Sequence, residues 1–313
     1  GIHLALTGQW IILLAFYIEI QDDKNKILFR NLNILLSVLI HFYFTIILFL
    51  FYIFENIYNL STKRIKLKFL ITELIIRFIL VLSLMYITGY FTINLDDSLG
   101  SGYGFYNFNL NSFFNPLGGN NFGSFDWSLF LPTLQLQNFE REGFSYLGIS
   151  GIIFLFLFLL NFFYKRYYII FSNKKLLFIC VCFLILAVSN QINFGEKNLI
   201  SIPINDYLYI ALSSFRASGR LIWPVYYLIF IFGIIFIFKN FEKKNPSLII
   251  SIMLILQIVD LYPGLKNYKL GSQFISTFQE NKINDNIWIN LSNDFDQLRL
   301  LEPKNYSNIF GIL

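Results

Sequence analysis

Residues 215–227 read FRASGRLIWPVYY, and the end of this stretch opens an apolar run that continues to residue 238. The length of this run is close to that of a membrane-spanning helix, which needs about 20 residues to cross roughly 30 Å of hydrocarbon. Arg216 and Arg220 stand directly before the run, and Trp223-Pro224 opens it. Because proline is favoured in the first turn of a helix, the stretch predicts a membrane helix that begins near Trp223 with two cations at its entrance.

Apolar runs of this kind recur along the chain and determine its class. The 313 residues are 56% hydrophobic and only 14% charged, and the mean hydropathy is +0.59. This apolar content exceeds what a soluble domain can bury. We therefore predict an all-α integral membrane protein, a multi-spanning helical bundle with long outer loops. Length and hydropathy assign about seven crossings, at residues 4–20, 33–54, 69–90, 148–164, 176–193, 222–238 and 247–262.

The net charge of +5 and the pI near 9.0 indicate membrane topology rather than nucleic-acid binding. The cations lie in short loops beside the apolar runs, as the positive-inside rule describes. Two long loops, residues 91–147 and 194–221, are then expected outside, in contact with membrane lipids. The three loops predicted to be cytoplasmic carry Lys63, Arg64, Lys66 and Lys68; Lys165, Arg166, Lys174 and Lys175; and Lys239, Lys243 and Lys244.

One loop does not fit this scheme. Residues 21–32 carry Lys24, Lys26 and Arg30, yet the alternation of seven crossings places them outside. Either the rule fails at this loop, where two aspartates offset some of the charge, or residues 27–58 form a re-entrant pair of helices. We prefer the simple exception.

The two ends of the sequence suggest an internal piece of a longer protein. The chain starts at Gly1 within an apolar segment and stops at Leu313. Residues 263–313 are polar with scattered apolar positions, so we expect them to begin an external, periplasmic domain that is cut short. Residues 1–262 form the predicted transmembrane region.

Several common kinds of site are not indicated by the residue pattern. Cys180 and Cys182 lie in an apolar run and predict neither a metal site nor a disulfide. The two histidines, His3 and His41, form no zinc-type cluster. No phosphate-binding or dinucleotide-binding glycine motif occurs. A divalent metal stays open as a cofactor, although no motif supports one.

Glu73, Arg77 and His41 lie inside predicted crossings, where ionisable groups are functional hypotheses by default. Glu73 and Arg77 are four residues apart on one helix, so we expect a structural ion pair. His41 lies in the middle of a run. A neutral, hydrogen-bonded histidine is the commoner outcome there, and a functional role is the alternative.

Arg216 and Arg220 predict an anion site. Free backbone N–H groups at the start of a helix attract anions, and arginine holds phosphate in a bidentate grip. The pair would therefore clamp a lipid-linked phosphate at headgroup depth. Equally compatible with the sequence is a role in nonspecific contact with headgroups. In a third arrangement the arginines pair with carboxylates, for which the candidates are Asp206, Asp260 and Glu142.

The loop 91–147 is too long to be a simple connector, and long loops on a rigid scaffold often carry function. Its aromatic residues either pack at the membrane interface, which we prefer, or stack on sugar rings. They are Tyr103, Phe105, Tyr106, Phe108, Phe113, Phe114 and Trp127. Asp260, at the outer end of the last run, is predicted to be a salt-bridge partner or a base.

Four stretches carry a resemblance to a known family. They are FRASGRLIWPVYY, GYGFYNFNLNSFFNPLG (102–118), WSLFLP (127–132) and EGFSYLGIS (142–150). Together they resemble an uncharacterised bacterial family of multi-spanning membrane proteins related to the GT-C glycosyltransferases, over roughly residues 1–262. The resemblance implies a GT-C-like bundle in the bacterial inner membrane. It also implies transfer of a sugar from a polyprenyl-phosphate donor to a glycan or lipid acceptor of the cell envelope, on the outer face.

The resemblance also implies roles for individual residues. GT-C enzymes place their main catalytic acid in the first outer loop, which would lie upstream of this sequence. Arg216 and Arg220 would then bind the donor phosphate. The remaining candidates are Glu142, Asp96 and Asp97 for catalytic carboxylates and Tyr146, Trp223 and Asp260 for the pocket.

Two other functions remain open on the sequence. One is a flippase or transporter of lipid-linked saccharides, and the other is a polysaccharide polymerase or ligase. Transporters often contain internal repeats and charges at the membrane midplane. We find no repeat, and most charges lie at the predicted membrane surfaces, which favours an enzyme.

Overall fold

The computed structural model describes residues 4–21, 24–92, 103–104, 106–120, 123–135, 143–164, 174–205, 207, 209, 212 and 217–283. Within these ranges the fold is mostly helical, as predicted, with two small antiparallel hairpins. The helices are α1 (Trp10–Ile20), α2 (Lys26–Ile40), α3 (Phe42–Ser61), α4 (Leu67–Ile87), α5 (Gly148–Tyr164), α6 (Lys174–Val188), α7 (Trp223–Asn240) and α8 (Pro246–Ile283). The hairpins pair β1 (Leu117–Asn120) with β2 (Gly123–Asp126) and β3 (Gln191–Phe194) with β4 (Lys197–Ser201).

Four helical segments of this described part are long and apolar enough to cross a membrane. They are Phe42–Ser61, Leu67–Ile87, Ser218–Asn240 and Pro246–Asn267, and two shorter apolar helices are Trp10–Ile20 and Gly148–Leu160. The expectation of a helical membrane protein is therefore confirmed at the level of helix length and composition. The finer expectation of a GT-C-like bundle stays a prediction.

The predicted crossing 33–54 is not one helix. It divides at His41, whose backbone is extended (φ −168°, ψ 140°), and α3 runs back along α2. Three side-chain contacts fix this antiparallel pairing: Arg30 to Glu55 at 2.8 Å, Asn33 to Tyr52 at 3.1 Å and Ser37 to Thr45 at 3.2 Å. This pairing supports the alternative, in which residues 27–58 form a pair of helices that turns back, and the side of the membrane on which residues 21–32 lie stays a prediction.

This hairpin brings basic residues of α2 and α6 together at one end of the bundle. The Nζ atom of Lys175, at the start of α6, lies 2.7 Å from Glu19 at the end of α1 and 3.2 Å from Glu55 near the end of α3. The tyrosine hydroxyl of Tyr227, at the start of α7, donates to Gln9 just before α1, so α7 runs in the same direction as α1. We call the end that contains Lys175 the basic end and the opposite end the loop end.

Three other bounds bear on the predicted crossings. Helix α5 has the predicted bounds, residues 148–164. Helix α6 ends at Val188, and the chain then enters β3, so the predicted crossing 176–193 is too long. Helix α8 continues through Pro263 to Ile283, beyond the predicted end at residue 262. Residues 284–313 lie outside the described residues, so the external domain stays a prediction.

The centre of the bundle is packed with aromatic and branched side chains around α3. Phe51 is fully buried and its ring contacts that of Phe16 edge to face, with 5.3 Å between centroids. Where α5 and α7 cross, a Cβ atom at Gly233 would lie 2.1 Å from the ring of Phe154. Small residues at helix crossings allow close approach in membranes, so glycine here lets the ring of the neighbouring helix pack against the backbone.

Candidate functional site

The start of α7 differs from the prediction in one important way. A 3-10 turn, Ser218–Ile222, leads directly into α7. As a result, the Trp223 N–H donates to the carbonyl of Arg220. The Gly219 N–H donates to the carbonyl of Tyr106 at 2.8 Å, and that of Arg220 to the carbonyl of Ala217 at 3.1 Å. The prediction that the Trp223 N–H is free is therefore wrong, and the N–H groups of Gly219 and Arg220 are also hydrogen-bonded.

The guanidinium of Arg220 lies on an aromatic ring. Its Cζ atom is 4.5 Å from the centroid of Tyr43, which lies in the first turn of α3. The Tyr43 hydroxyl accepts a hydrogen bond from the Ala217 N–H at 3.1 Å, so the ring is fixed against the same turn. A cation over an aromatic face is attracted by the ring quadrupole.

His41 lies beside this pair, at the turn between α2 and α3. Its Nδ1 atom accepts the Tyr43 N–H at 3.1 Å and thereby caps α3. The two rings are stacked, with 5.6 Å between centroids and 19° between planes. Because Nδ1 is the acceptor, the neutral imidazole carries its proton on Nε2. The expectation of a hydrogen-bonded histidine is confirmed.

The turn that carries Arg220 has no space for a side chain at Gly219. A Cβ atom there would lie 2.7 Å from the Cα of Gly143 and 2.9 Å from the carbonyl oxygen of Tyr106. These are backbone atoms, which cannot move aside as a flexible side chain can. The loop between α4 and α5 therefore packs directly against the turn that carries Arg220.

Two buried polar atoms adjoin this contact. Ser218 is 1% exposed and Asn107 is fully buried, and neither the Ser218 Oγ nor the Asn107 Oδ1 has a hydrogen-bond partner within the described structure. Burying a polar atom without a partner is unfavourable. The turn that carries Arg220 therefore has two such atoms buried beside it.

Tyr146 and Asp260, both predicted pocket residues, lie in direct contact. The Tyr146 hydroxyl donates to Asp260 Oδ2 at 2.7 Å, the Ile149 N–H donates to the same oxygen at 3.1 Å, and the Ser128 hydroxyl donates to Oδ1. Asp260 is fully buried. Burial raises the pKa of Tyr146, and its bond to Asp260 raises that pKa further, so the phenol stays a donor. This cluster fastens the loop between α4 and α5 to α8.

The other predicted site residues divide into two groups. The Trp223 ring packs against Phe44 of α3 with 5.7 Å between centroids. Arg216, Glu142, Asp96 and Asp97 lie outside the described residues, as does Asp206, and their roles stay predictions. Over the described ranges, no group of three or more His, Cys, Asp or Glu side chains is placed to hold a metal ion.

A family match covers residues 1–262, which include every helix from α1 to α7 and the site around Arg220. The chain belongs to the family described as a domain of unknown function, DUF6311. No curated protein and no solved structure matches the chain. The DUF6311 match therefore assigns a family and leaves the function to be argued from the site.

The DUF6311 region also contains a buried ionic network that the sequence did not predict. Arg30 lies 2.7 Å from Glu19 and 2.8 Å from Glu55, and Lys175 contacts the same two carboxylates. The network joins α1, α2, α3 and α6 at the basic end. The available signal was the position of two isolated glutamates, Glu19 inside the apolar run 4–20 and Glu55 directly after the run 33–54, because a buried carboxylate requires a partner.

The predicted pair of Glu73 and Arg77 within this DUF6311 region is confirmed. Arg77 donates to Glu73 one turn earlier on α4 and also to Asn31 of α2 at 3.1 Å. Its Cζ lies 5.4 Å from the ring centroid of Tyr52 on α3. The pair thus links three helices and has a structural role.

Proposed function

We propose that this DUF6311 protein is a membrane glycosyltransferase. It takes a sugar from a polyprenyl-phosphate donor and transfers it to a cell-envelope glycan or lipid on the outer face of the bacterial inner membrane. The observation that carries the proposal is the guanidinium of Arg220 held over the ring of Tyr43 at the loop end. In this proposal Arg220 binds the donor phosphate.

The position of Arg220 supports an external site. The basic loops lie together at the opposite end, and the positive-inside rule assigns that end to the cytoplasm. The loop end, with Arg220 and both hairpins, would then face outward. Phosphates of lipid carriers lie at the headgroup depth where the start of α7 would be found.

The chemistry of the site suits phosphate. Arginine offers planar, bidentate N–H donors that match phosphate oxygens, and Ser218 contributes a buried hydroxyl two residues away. During transfer the bond between the anomeric carbon and the phosphate oxygen breaks, and its electron pair stays on the phosphate. A cation placed beforehand stabilises that developing charge.

A carboxylate must accept the proton of the attacking acceptor hydroxyl. Asp260 is poorly suited, since its two oxygens already accept hydrogen bonds from Ser128, Tyr146 and Ile149. Glu142, Asp96 and Asp97 therefore remain the candidates within this sequence, together with an acid upstream of it.

The two alternative functions would treat the lipid-linked saccharide differently. A flippase would move the lipid-linked saccharide unchanged, and a polymerase or ligase would use the same phosphate contact to extend or transfer a polymer. The buried charges of the basic end are paired with one another, which supports a structural role for them rather than a transport path.

The test measures polyprenyl-phosphate sugars and surface glycans by mass spectrometry in cells that carry the full-length protein or its Arg216→Ala, Arg220→Ala or Arg220→Lys variant. We expect Arg220→Ala to lower transfer by about 10²–10³-fold, as loss of a comparable electrostatic donor does. The donor then accumulates and a glycan lacks one sugar. Arg220→Lys should recover part of the activity, because it keeps the charge without the bidentate geometry.

The matched control is Arg64→Ala, an exposed arginine at the basic end, which should leave glycans unchanged. Normal glycans in the Arg220→Ala cells at normal protein levels would refute the phosphate role. Accumulation of complete saccharide on the inner leaflet would indicate a flippase instead. Shortened polymers without loss of one particular sugar would indicate a polymerase.

A further inference from the structure

We infer that His41 is a positioning residue of the phosphate site, which it controls through Tyr43. This inference rests on the proposed function in that Arg220 is taken to bind phosphate. His41 lies on the turn between α2 and α3, and Arg220 lies on the turn before α7, so the two residues belong to distant parts of the sequence. Tyr43 connects them.

The connection consists of four contacts. His41 Nδ1 accepts the Tyr43 N–H at 3.1 Å, and the imidazole stacks on the Tyr43 ring. The Tyr43 hydroxyl accepts the Ala217 N–H at 3.1 Å, and the ring lies 4.5 Å from Arg220 Cζ. His41 thus holds both the backbone and the ring of the residue on which the guanidinium rests.

Helix capping alone does not account for histidine at this position. Asn, Asp and Ser are the preferred N-cap residues, and a histidine that becomes charged is unfavourable at the positive end of a helix. The imidazole provides something that these side chains lack, a flat ring that stacks on Tyr43. The choice of residue is therefore explained by the orientation of Tyr43 as well as by the cap.

Loss of His41 should alter the site without altering the groups that touch the ligand. Without the Nδ1 acceptor and the stacked ring, Tyr43 gains freedom, and Arg220 loses part of its fixed position. Binding of a phosphate depends on how firmly the side chains that contact it are held in position. We expect weaker binding of the phosphate headgroup and no change in binding of the hydrocarbon tail.

Three variants of His41 separate its role as a hydrogen-bond acceptor from its role as a stacked ring. His41→Asn keeps an acceptor that is able to cap α3 and lacks the ring. His41→Phe keeps a ring and lacks the acceptor. His41→Ala lacks both, and Arg220→Ala removes the phosphate contact itself.

The experiment measures binding of a polyprenyl monophosphate to the full chain in nanodiscs of zwitterionic lipid, by native mass spectrometry on the folded fraction. The matched ligand is the corresponding polyprenol, which has the tail without the phosphate. We expect His41→Ala to weaken phosphate-lipid binding by about five- to tenfold, the size of one lost hydrogen bond. His41→Asn and His41→Phe should each recover part of this loss, and polyprenol binding should not change in any variant.

A double-mutant cycle separates positioning from a general effect on the fold. If His41 acts through Arg220, then His41→Ala has no further effect on binding in the Arg220→Ala background. Independent, additive effects would overturn the inference. If His41→Ala does not fold, His41→Phe takes its place in the cycle.

The failures of the inference and of the proposed function are distinguishable. Wild-type binding in His41→Ala together with weak binding in Arg220→Ala would refute the role of His41 and keep the phosphate site. Wild-type binding in Arg220→Ala would refute the phosphate site, and with it the role of His41.

Discussion

The basic end and the loop end both hold buried or half-buried cations, and they hold them in different ways. At the basic end, Arg30 and Lys175 contact the carboxylates of Glu19 and Glu55. At the loop end, Arg220 rests on the ring of Tyr43. Ion pairs between helices fasten one helix to another, whereas an aromatic ring beneath a guanidinium fixes the position of the cation. The first arrangement is suited to holding helices together and the second to positioning an arginine.

The largest effect is expected in a labelling experiment that tests whether the basic end and the loop end lie on opposite sides of the membrane. Cysteines at positions 24 and 63, introduced as Lys24→Cys and Lys63→Cys, should react with an impermeant thiol reagent from the same side. Lys197→Cys should react only from the other side. The result is all or none, because the helix pair that turns at His41 places both lysines at the basic end.

The measurement compares labelling of intact and permeabilised cells in a background with Cys180→Ala and Cys182→Ala. Labelling of position 24 together with position 197, and apart from position 63, would contradict the hairpin. It would restore the arrangement of seven crossings in which residues 21–32 are an exception.

The next effect is on stability at the basic end. Glu55→Ala leaves the buried Arg30 and the partly buried Lys175 with one carboxylate instead of two. Removing one partner of a buried ion pair costs about 3–5 kcal/mol. We expect a large fall in the free energy of unfolding of the purified protein, measured with denaturant in detergent. Glu242→Ala, which changes an exposed glutamate of the same end, should have almost no effect; equal effects of the two variants would show that the network contributes little.

A smaller effect is expected where the outer loop joins α8. Asp260→Asn replaces one of the oxygens that accept hydrogen bonds from Ser128, Tyr146 and Ile149 with an amide donor. A buried donor that faces another donor costs about 1–3 kcal/mol. We expect faster proteolysis within residues 103–135 while α1 to α4 stay intact. Unchanged cleavage would indicate that this cluster does not fasten the loop.

The smallest effect is a pH dependence of the same cluster. The pKa of Tyr146 is raised above the ordinary tyrosine value of 10.0, because burial and the bond to Asp260 favour the neutral phenol. A raised pKa in the folded state means that the contribution to stability is complete below the ordinary pKa and is lost as the pH rises above it. Tyr146→Phe should cost about 0.5–1.5 kcal/mol at neutral pH.

That difference between wild type and Tyr146→Phe should shrink above the ordinary tyrosine pKa. Thermal unfolding of both proteins at pH values on either side of it provides the measurement. A constant difference across this range would mean that Tyr146 does not titrate with unfolding. Other tyrosines with raised pKa values, such as Tyr103, are common to both proteins and cancel.

Part of the arrangement around Arg220 was predictable. The sequence placed Arg220 at the entrance of a helix, where the structure has it, whereas the outer side that it assigned to Tyr146 and Asp260 stays a prediction. It did not indicate that Tyr43 supports the guanidinium, since Tyr43 and Arg220 are far apart in sequence and nothing in either local pattern refers to the other. The 3-10 turn that uses the backbone N–H groups was also missed, because it depends on packing against Tyr106 and Gly143.

By itself, the sequence determined the features that depend on the spacing of nearby residues. The apolar run of α5 gave its bounds, Trp223-Pro224 marked the start of α7, and the four-residue spacing of Glu73 and Arg77 placed them on one helix face. Only the tertiary structure decided that the chain turns at His41 and that Arg30 meets Glu55. The sequence of an apolar run looks the same whether the run crosses the membrane once or folds back. Hydropathy describes the polarity of each side chain and does not identify the residues against which that side chain packs.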